Sequence, residues 1–192
     1  MIDLRTFLAQ SADLSDEVCL DAFAQNWTKK PVRRGGALVF QGASATDEFI
    51  ALEGRLASTI CDPEGKEVCV GFFVAPCVVT PSIARTRDGV SRVSVVATTD
   101  VSCARIDAGL LTRLMISSQA VRNWANGVLR DALSEKADRE WCLAALGGAE
   151  RLAWFRETYP GCEDMFTHSL IASFLGVTPV TLSRLRASNR PG

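Results

Sequence analysis

The chemistry-bearing side chains of this chain gather near its C-terminal end. From Thr167 to Gly192 there are three arginines, Arg184, Arg186 and Arg190, and no acidic residue. The whole chain of 192 residues is balanced, with 21 Lys and Arg against 22 Asp and Glu. A basic patch on a neutral chain points to a polyanion met at one place, not over the whole surface. Hydroxyls accompany the arginines at Thr178, Thr181 and Ser183, and the single histidine, His168, is expected near the start of a helix, where it helps meet a phosphate. Hydroxyls and amides at a helix start can meet phosphate oxygens, and an arginine reaches phosphate or a base edge. Val180 offers apolar contact alone, for instance to a thymine methyl.

Catalysis has little to work with. One histidine limits acid-base and metal chemistry, and no GxSxG, P-loop or HExxH pattern is present. Gly35-Gly36 and Gly147-Gly148 read as turns rather than phosphate cradles. No catalytic residue, metal or cofactor is expected. Seven cysteines, at 19, 61, 69, 77, 103, 142 and 162, form no CxxC pair and are odd in number. A reducing cytoplasm is therefore expected rather than a disulfide scaffold, with the strand cysteines acting as small hydrophobes. No apolar run approaches the roughly 18 residues of a membrane span, and the first residues do not read as a secretory signal.

The elements that must position the basic patch follow from spacing. Ile171, Ala172 and Leu175 mark the buried face of one helix, Gly176 supplies a permissive turn, and Thr178-Pro179 is an N-cap followed by a first-turn proline. Leu182 and Leu185 then face the core, which leaves Val180, Thr181, Ser183, Arg184 and Arg186 nearer the outside. Upstream, Leu111, Leu114, Ser118, Val121, Ala125, Val128 and Ala132 are spaced alternately by three and four. That seam fits either a long helix pairing with its copy in a homodimer or one helix docked on its own sheet. Before it, short apolar segments broken by Gly and Pro at 8–12-residue intervals suit a sandwich or barrel, and residues 3–30 read as helices with loops. The expected class is α+β: a double-stranded β-helix (jelly roll) with N-terminal helices over 1–107, a dimerisation helix over 108–136, and a helix-turn-helix module over 137–192.

Particular stretches resemble the Crp/Fnr-type bacterial transcription regulators, over about Phe23 to Arg186. Arg33-Arg34-Gly35-Gly36 with Leu38 and Gln41-Gly42 is similar to the family's opening of the barrel. Phe49-Ile50-Ala51-Leu52-Glu53-Gly54 resembles its strand and turn, and Gly65-Lys66-Glu67 its hairpin. The most specific match is Ile171 to Arg186, close to the short subgroup whose chains end just after the recognition helix. The resemblance implies a cyclic-nucleotide-binding-like sensor, a dimerisation helix and a helix-turn-helix that reads double-stranded DNA at a near-palindromic operator.

The sensor departs from the family's ligand cassette. Aligned through Val95-Val96-Ala97, the phosphate-binding Arg-Thr pair falls on Ser91 and Arg92, and the ribose-binding Glu falls near Pro81. Arg85-Thr86 has the right types but sits too early. A pocket would use Arg85, Ser91 and Arg92, for an unknown small-molecule effector other than cyclic AMP. Of the cysteines the family's iron-sulfur members would use, only Cys19 lies near the N-terminus, and His168 lies outside the barrel where a haem ligand would be wanted. Two other classes stay open: a degenerate sensor acting through a protein partner without DNA, and a ligand-binding jelly roll whose helical tail is structural.

Overall fold

The computed structural model describes residues 2–188; Arg190 of the basic tail lies outside them. The chain begins with α1 (Leu4–Leu8), a 3-10 turn at Ala12–Leu14, and α2 (Glu17–Ala24). Asp3 and Asp16 start the two helices, their carboxylates accepting from the amides of Thr6 at 2.7 Å and Val18 at 3.2 Å. Then come β1 (Thr28–Val32), β2 (Ala37–Val39), β3 (Asp47–Glu53), β4 (Arg55–Cys61), β5 (Glu67–Val74) and β6 (Cys77–Val78). A single turn, α3 (Ser82–Arg85), precedes β7 (Thr86–Arg87), β8 (Val90–Ser91), β9 (Ser94–Ala97) and β10 (Val101–Asp107).

Two four-stranded antiparallel sheets result, in the orders β1-β10-β3-β6 and β2-β9-β4-β5, with a β7-β8 ribbon beside them. Phe49, Ala51, Leu56, Phe73, Val95 and Cys103 fill the space between the sheets. The outer faces are covered as well. Ile50, Ala104 and Ile106 of the first sheet pack under α1, α2 and the helices that follow β10. Ala57, Cys69, Phe72 and Val74 of the second sheet pack under the C-terminal helices. Burial on both faces explains why Phe49-Ile50-Ala51-Leu52 lacks the polar alternation of a half-exposed strand.

After β10 the chain forms α4 (Ala108–Ser117), α5 (Gln119–Ala145), α6 (Gly148–Thr158), α7 (Cys162–Met165), α8 (His168–Phe174) and α9 (Pro179–Ser188). The single helix expected over 108–136 is thus two helices, and the second continues nine residues further. Ser118 is extended, with φ −130° and ψ 120°. Its hydroxyl accepts from the Val121 amide at 3.3 Å, while Arg122 donates to the carbonyls of Met115 and Ile116 at 2.9 and 3.2 Å. Each orphaned helix end is satisfied by a side chain, which stabilises the break. The three-and-four spacing passes across Ser118 without forming one continuous stripe. Val121 is buried within its own chain, against the core that holds Leu8, Leu14 and Trp124, and Leu111, Leu114, Ala125 and Val128 are half-buried there.

Candidate nucleic-acid interface and sensor core

The turn between α8 and α9 is built by local rules. Gly176 has φ +66°, and a Cβ there would meet Arg151 Nη1 at 3.1 Å and Leu143 at 3.3 Å. The Val177 amide donates to the Ala172 carbonyl at 3.0 Å and the Gly176 amide to Ser173 at 3.1 Å, which closes the C-terminus of α8. Thr178 Oγ1 then accepts from the Thr181 amide at 3.1 Å to start α9. Leu182 is fully buried and Leu185 half-buried, while Thr178, Val180, Thr181, Ser183 and Arg184 are exposed on one end of α9. Val180 is 61% exposed, an apolar side chain held in water at the helix start.

Two expected contact residues are occupied inside the module. Arg186 donates from Nε to Glu163 at 2.7 Å and from Nη1 to His168 Nδ1 at 2.8 Å. An arginine can only donate, so His168 Nδ1 accepts and the ring proton sits on Nε2, where it donates to the Pro179 carbonyl at 2.7 Å. His168 and Arg186 thus tie α8 to both ends of α9. Glu163 also takes Arg156 at 2.5 and 3.1 Å. The Arg156 hydrogen bond, then that of Arg186, holds the Glu163 carboxyl below its ordinary range, against the opposing effect of burial.

Of two arginines that sequence reasoning passed over, Arg151 holds the module together and Arg139 fastens it to the barrel. Arg151 donates to Leu143 and Leu146 at the end of α5, both at 2.9 Å, and to Leu175 at the end of α8 at 3.0 Å. Arg139 on α5 donates to Cys69 of β5 at 3.3 Å and to Phe174 of α8 at 3.2 Å, with its guanidinium 4.7 Å from the Phe174 ring centre. Ser173 accepts from the Cys69 amide at 3.0 Å. Arg139 continues the three-and-four spacing beyond Ala132, and that signal was available. Nothing in the sequence near Glu163 announces its partners, which lie 7 and 23 positions away.

In the sensor, the three residues assigned to an effector pocket lie on or beside the β7-β8 ribbon. Arg85 is buried and donates to the Asp47 and Thr80 carbonyls at 2.6 and 3.1 Å, 4.0 Å from Glu48. Ser91 is buried with its hydroxyl on the Val93 carbonyl at 2.7 Å. Arg92 is exposed, and its amide donates to the Arg85 carbonyl at 2.8 Å. Arg85 ties α3 to β3. One nitrogen, Nη1, is buried without a partner among the described residues. Glu48, also passed over, accepts from the Ser82 amide at 2.9 and 3.0 Å and from the Ser82 hydroxyl. Burial raises the Glu48 carboxyl, with the Ser82 hydrogen bonds opposing. Burial likewise pushes the Cys69 and Cys77 thiols up to about 12 and that of Cys103 to about 11, away from the thiolate form. No group of three or more His, Cys, Asp or Glu suited to a metal occurs among the described residues. No described helix is long and apolar enough to cross a membrane.

Comparison with known proteins agrees with this layout. Residues 29–118 match the model of the cyclic nucleotide-binding domain. No curated protein sequence matches the chain. Among solved structures, FixK2 from Bradyrhizobium japonicum superposes with a TM-score of 0.73 at 17% identity, over 84% of this chain and 83% of that one. The c-di-GMP responsive global regulator CLP of Xanthomonas campestris gives 0.71 at 13% identity, over 90% and 91%. A catabolite activator protein from Thermus thermophilus gives 0.58 at 17%, over 95% and 91%. At these identities the likeness is one of fold, and the fold is that of a cyclic-nucleotide-binding-type barrel followed by long helices and a helix-turn-helix.

Proposed function

We propose that this chain is a Crp/Fnr-type transcription regulator that reads double-stranded DNA as a homodimer. The observation that carries the reading is the α8-turn-α9 unit. Its exposed N-terminal end presents Thr178, Val180, Thr181, Ser183 and Arg184 together, while Leu182 and the Arg186-His168-Glu163 cluster hold the helix from behind. A helix presented in this way fits a major groove, with hydroxyls toward phosphates, Val180 toward a thymine methyl and Arg184 toward a guanine edge.

The homodimer is assigned to α5. Its inner side is spent on the chain's own core, so the face left for a second copy carries Asn123, Asn126, Arg130, Leu133, Ala137 and Trp141, all exposed and spaced by three or four. Leu133 and Trp141 are 53% and 56% exposed, large apolar side chains with no cover in one copy. Two such copies would set their reader helices roughly 34–36 Å apart, which predicts a near-palindromic site. The cassette is degenerate: Pro81 stands where a ribose-binding carboxylate would be, Arg85 is a tie between α3 and β3, and the barrel interior is packed with apolar side chains. Cyclic AMP is therefore not the effector in this reading.

The test is salt-titrated binding to duplexes recovered by selection from random sequence. Replacing Arg184 with Ala should cost about 1–3 kcal/mol per half-site while leaving the fold intact. Should the wild-type chain select no sequence and bind duplex no better than the variant, the DNA reading is wrong and a protein partner takes its place.

A further inference from the structure

The turn Arg33-Arg34-Gly35-Gly36 puts two arginines where the turn itself needs only its glycines. Its backbone is fixed. Gly35 has φ +82° and donates its amide to the Ala97 carbonyl at 2.8 Å, and the Arg34 amide donates to the Asp100 carboxylate at 2.9 Å. The neighbouring Gly54-Arg55 turn is held as firmly. The Arg55 amide donates to the Thr99 hydroxyl at 2.9 Å, and a Cβ on Gly54 would run into the Asp100 carbonyl. The Arg33 guanidinium is paired, donating to Asp100 at 2.8 Å. Arg34 and Arg55, by contrast, enter hydrogen bonds among the described residues through backbone groups alone. Two rigid turns thus carry two guanidiniums without partners.

Both side chains edge an open trough of about 560 Å³ between the barrel and the C-terminal module, with Asp164 and Thr167 on the module's side. Thr167 leads directly to the reading helix. The next residue, His168, donates to the carbonyl of Pro179, the first residue of α9, at 2.7 Å, and Val180 follows. The trough therefore opens beside the end of α9 that presents Val180 and Thr181. No α5 residue lines it, so the face given to a second copy takes none of its lining.

Unpaired guanidiniums beside such a helix fit phosphate oxygens. The carboxylates decide the form of that phosphate. Asp100 is engaged by Arg33 and the Arg34 amide, whereas Asp164 is exposed on the opposite side of the trough. A compact polyanion held in the trough would sit against Asp164. The phosphates of a duplex are singly charged and strung out, and can meet the barrel's edge one at a time.

We propose that Arg34 and Arg55 form a flanking DNA contact, taking backbone phosphates of the duplex just outside the stretch read by α9. Phosphate contacts carry no base identity, so this edge adds affinity that depends on the length of the duplex and not on its flanking sequence. The inference rests on the DNA reading of α9.

The experiment uses two duplexes built on a site recovered by selection with the wild-type chain. One is trimmed to the site, and the other carries two further helical turns, about 20 base pairs, of arbitrary sequence at each end. Arg34→Ala with Arg55→Ala removes two contacts per half-site, so the salt slope on the long duplex should fall by about three to four units for a dimer. Raising salt from 50 to 200 mM should then weaken the wild type roughly a hundredfold more than the variant. On the trimmed duplex the two should bind alike, which also shows that the variant is folded. Arg34→Lys with Arg55→Lys keeps the charges and should keep the wild-type slope. Inorganic phosphate at constant ionic strength should leave the long-duplex advantage in place; if it erases that advantage, the trough holds a free anion and the proposal falls. Equal slopes for wild type and the alanine variant on the long duplex would overturn it, and leave the arginines to an acidic protein partner. Equal losses on both duplexes would do the same, by placing the arginines inside the read site or in the fold. A wild-type chain that selects no sequence overturns the DNA reading, and this inference with it.

Discussion

Replacing Arg186 with Ala separates a positioning residue from a DNA contact. The side chain is 31% exposed and its Glu163 partner 19%, so the pair is neither a surface bridge nor a fully buried one. A hydrogen bond to a charged group contributes about 1.5–3 kcal/mol, and an exposed ion pair about 0–1. Glu163 keeps Arg156 after the change, and His168 Nδ1 loses its donor in a half-buried site. The expected loss is about 1–2 kcal/mol, or a Tm lower by roughly 3–6 °C for a chain of this size. Arg184→Ala, on an exposed site, should stay within about 0.5 kcal/mol of wild type. The pH dependence has a definite sign. Glu163 is held below its ordinary value of 4.5 in the folded chain, so its contribution is full above that value and is lost as the pH falls through the lower, folded one. The gap in Tm between wild type and Arg186→Ala should therefore be constant near neutrality and close in acid, as followed by scanning calorimetry from pH 7 to pH 3. In DNA binding, Arg186→Ala should leave the salt slope unchanged at temperatures well below its Tm. An unchanged Tm together with a salt slope smaller by about one unit would refute this reasoning and return Arg186 to the phosphate backbone.

Two further outcomes follow from the packing. Leu133→Asp with Trp141→Asp should convert dimer to folded monomer in sedimentation at micromolar concentration, whereas Val121→Asp should unfold the sensor, because it buries an unpaired charge within one chain; a double variant that stays dimeric removes α5's outer face as the interface. Calorimetry with cyclic AMP or cyclic GMP should give no Kd below roughly 100 µM, since the charge-assisted contacts are missing, and a clean micromolar isotherm would mean that Arg85 and its unpartnered Nη1 turn to the ligand.

What could be read in advance was local. Gly176, Thr178-Pro179 and Leu182 specify their turn and helix within a dozen residues, and the structure follows them. The strand breaks at Gly54 and around Gly65 were equally plain, because a positive φ demands glycine there. The long helix misled because a spacing of three and four counts residues and not backbone angles. Ser118 keeps the count while leaving the helix, and the residues on either side of it pack against the chain's own core. The partners of Arg85, His168 and Arg186 were hidden for another reason. Each has the residue type of an anion contact, yet their partners are carbonyls, a ring nitrogen and a carboxylate brought up from distant or unremarkable positions. Such pairing depends on the assembled fold, and no local pattern encodes it.

The aromatic cluster at the second sheet bears on how the protein can be divided. Phe72 of β5 sits with its ring centre 4.5 Å from that of Phe166 and 5.0 Å from that of Phe174, and 5.8 Å from Phe155. The sensor strand thus contributes a ring to the interior of the reader module, and Ala57 and Cys69 line the same core. A fragment begun at residue 137 would carry all the recognition helices and lack the floor they rest on. The change of character that the sequence shows between strands and helices is therefore not a line of cleavage. The two halves should melt in one transition, and to swing the C-terminal helices away from the barrel the protein must first separate rings that now pack together.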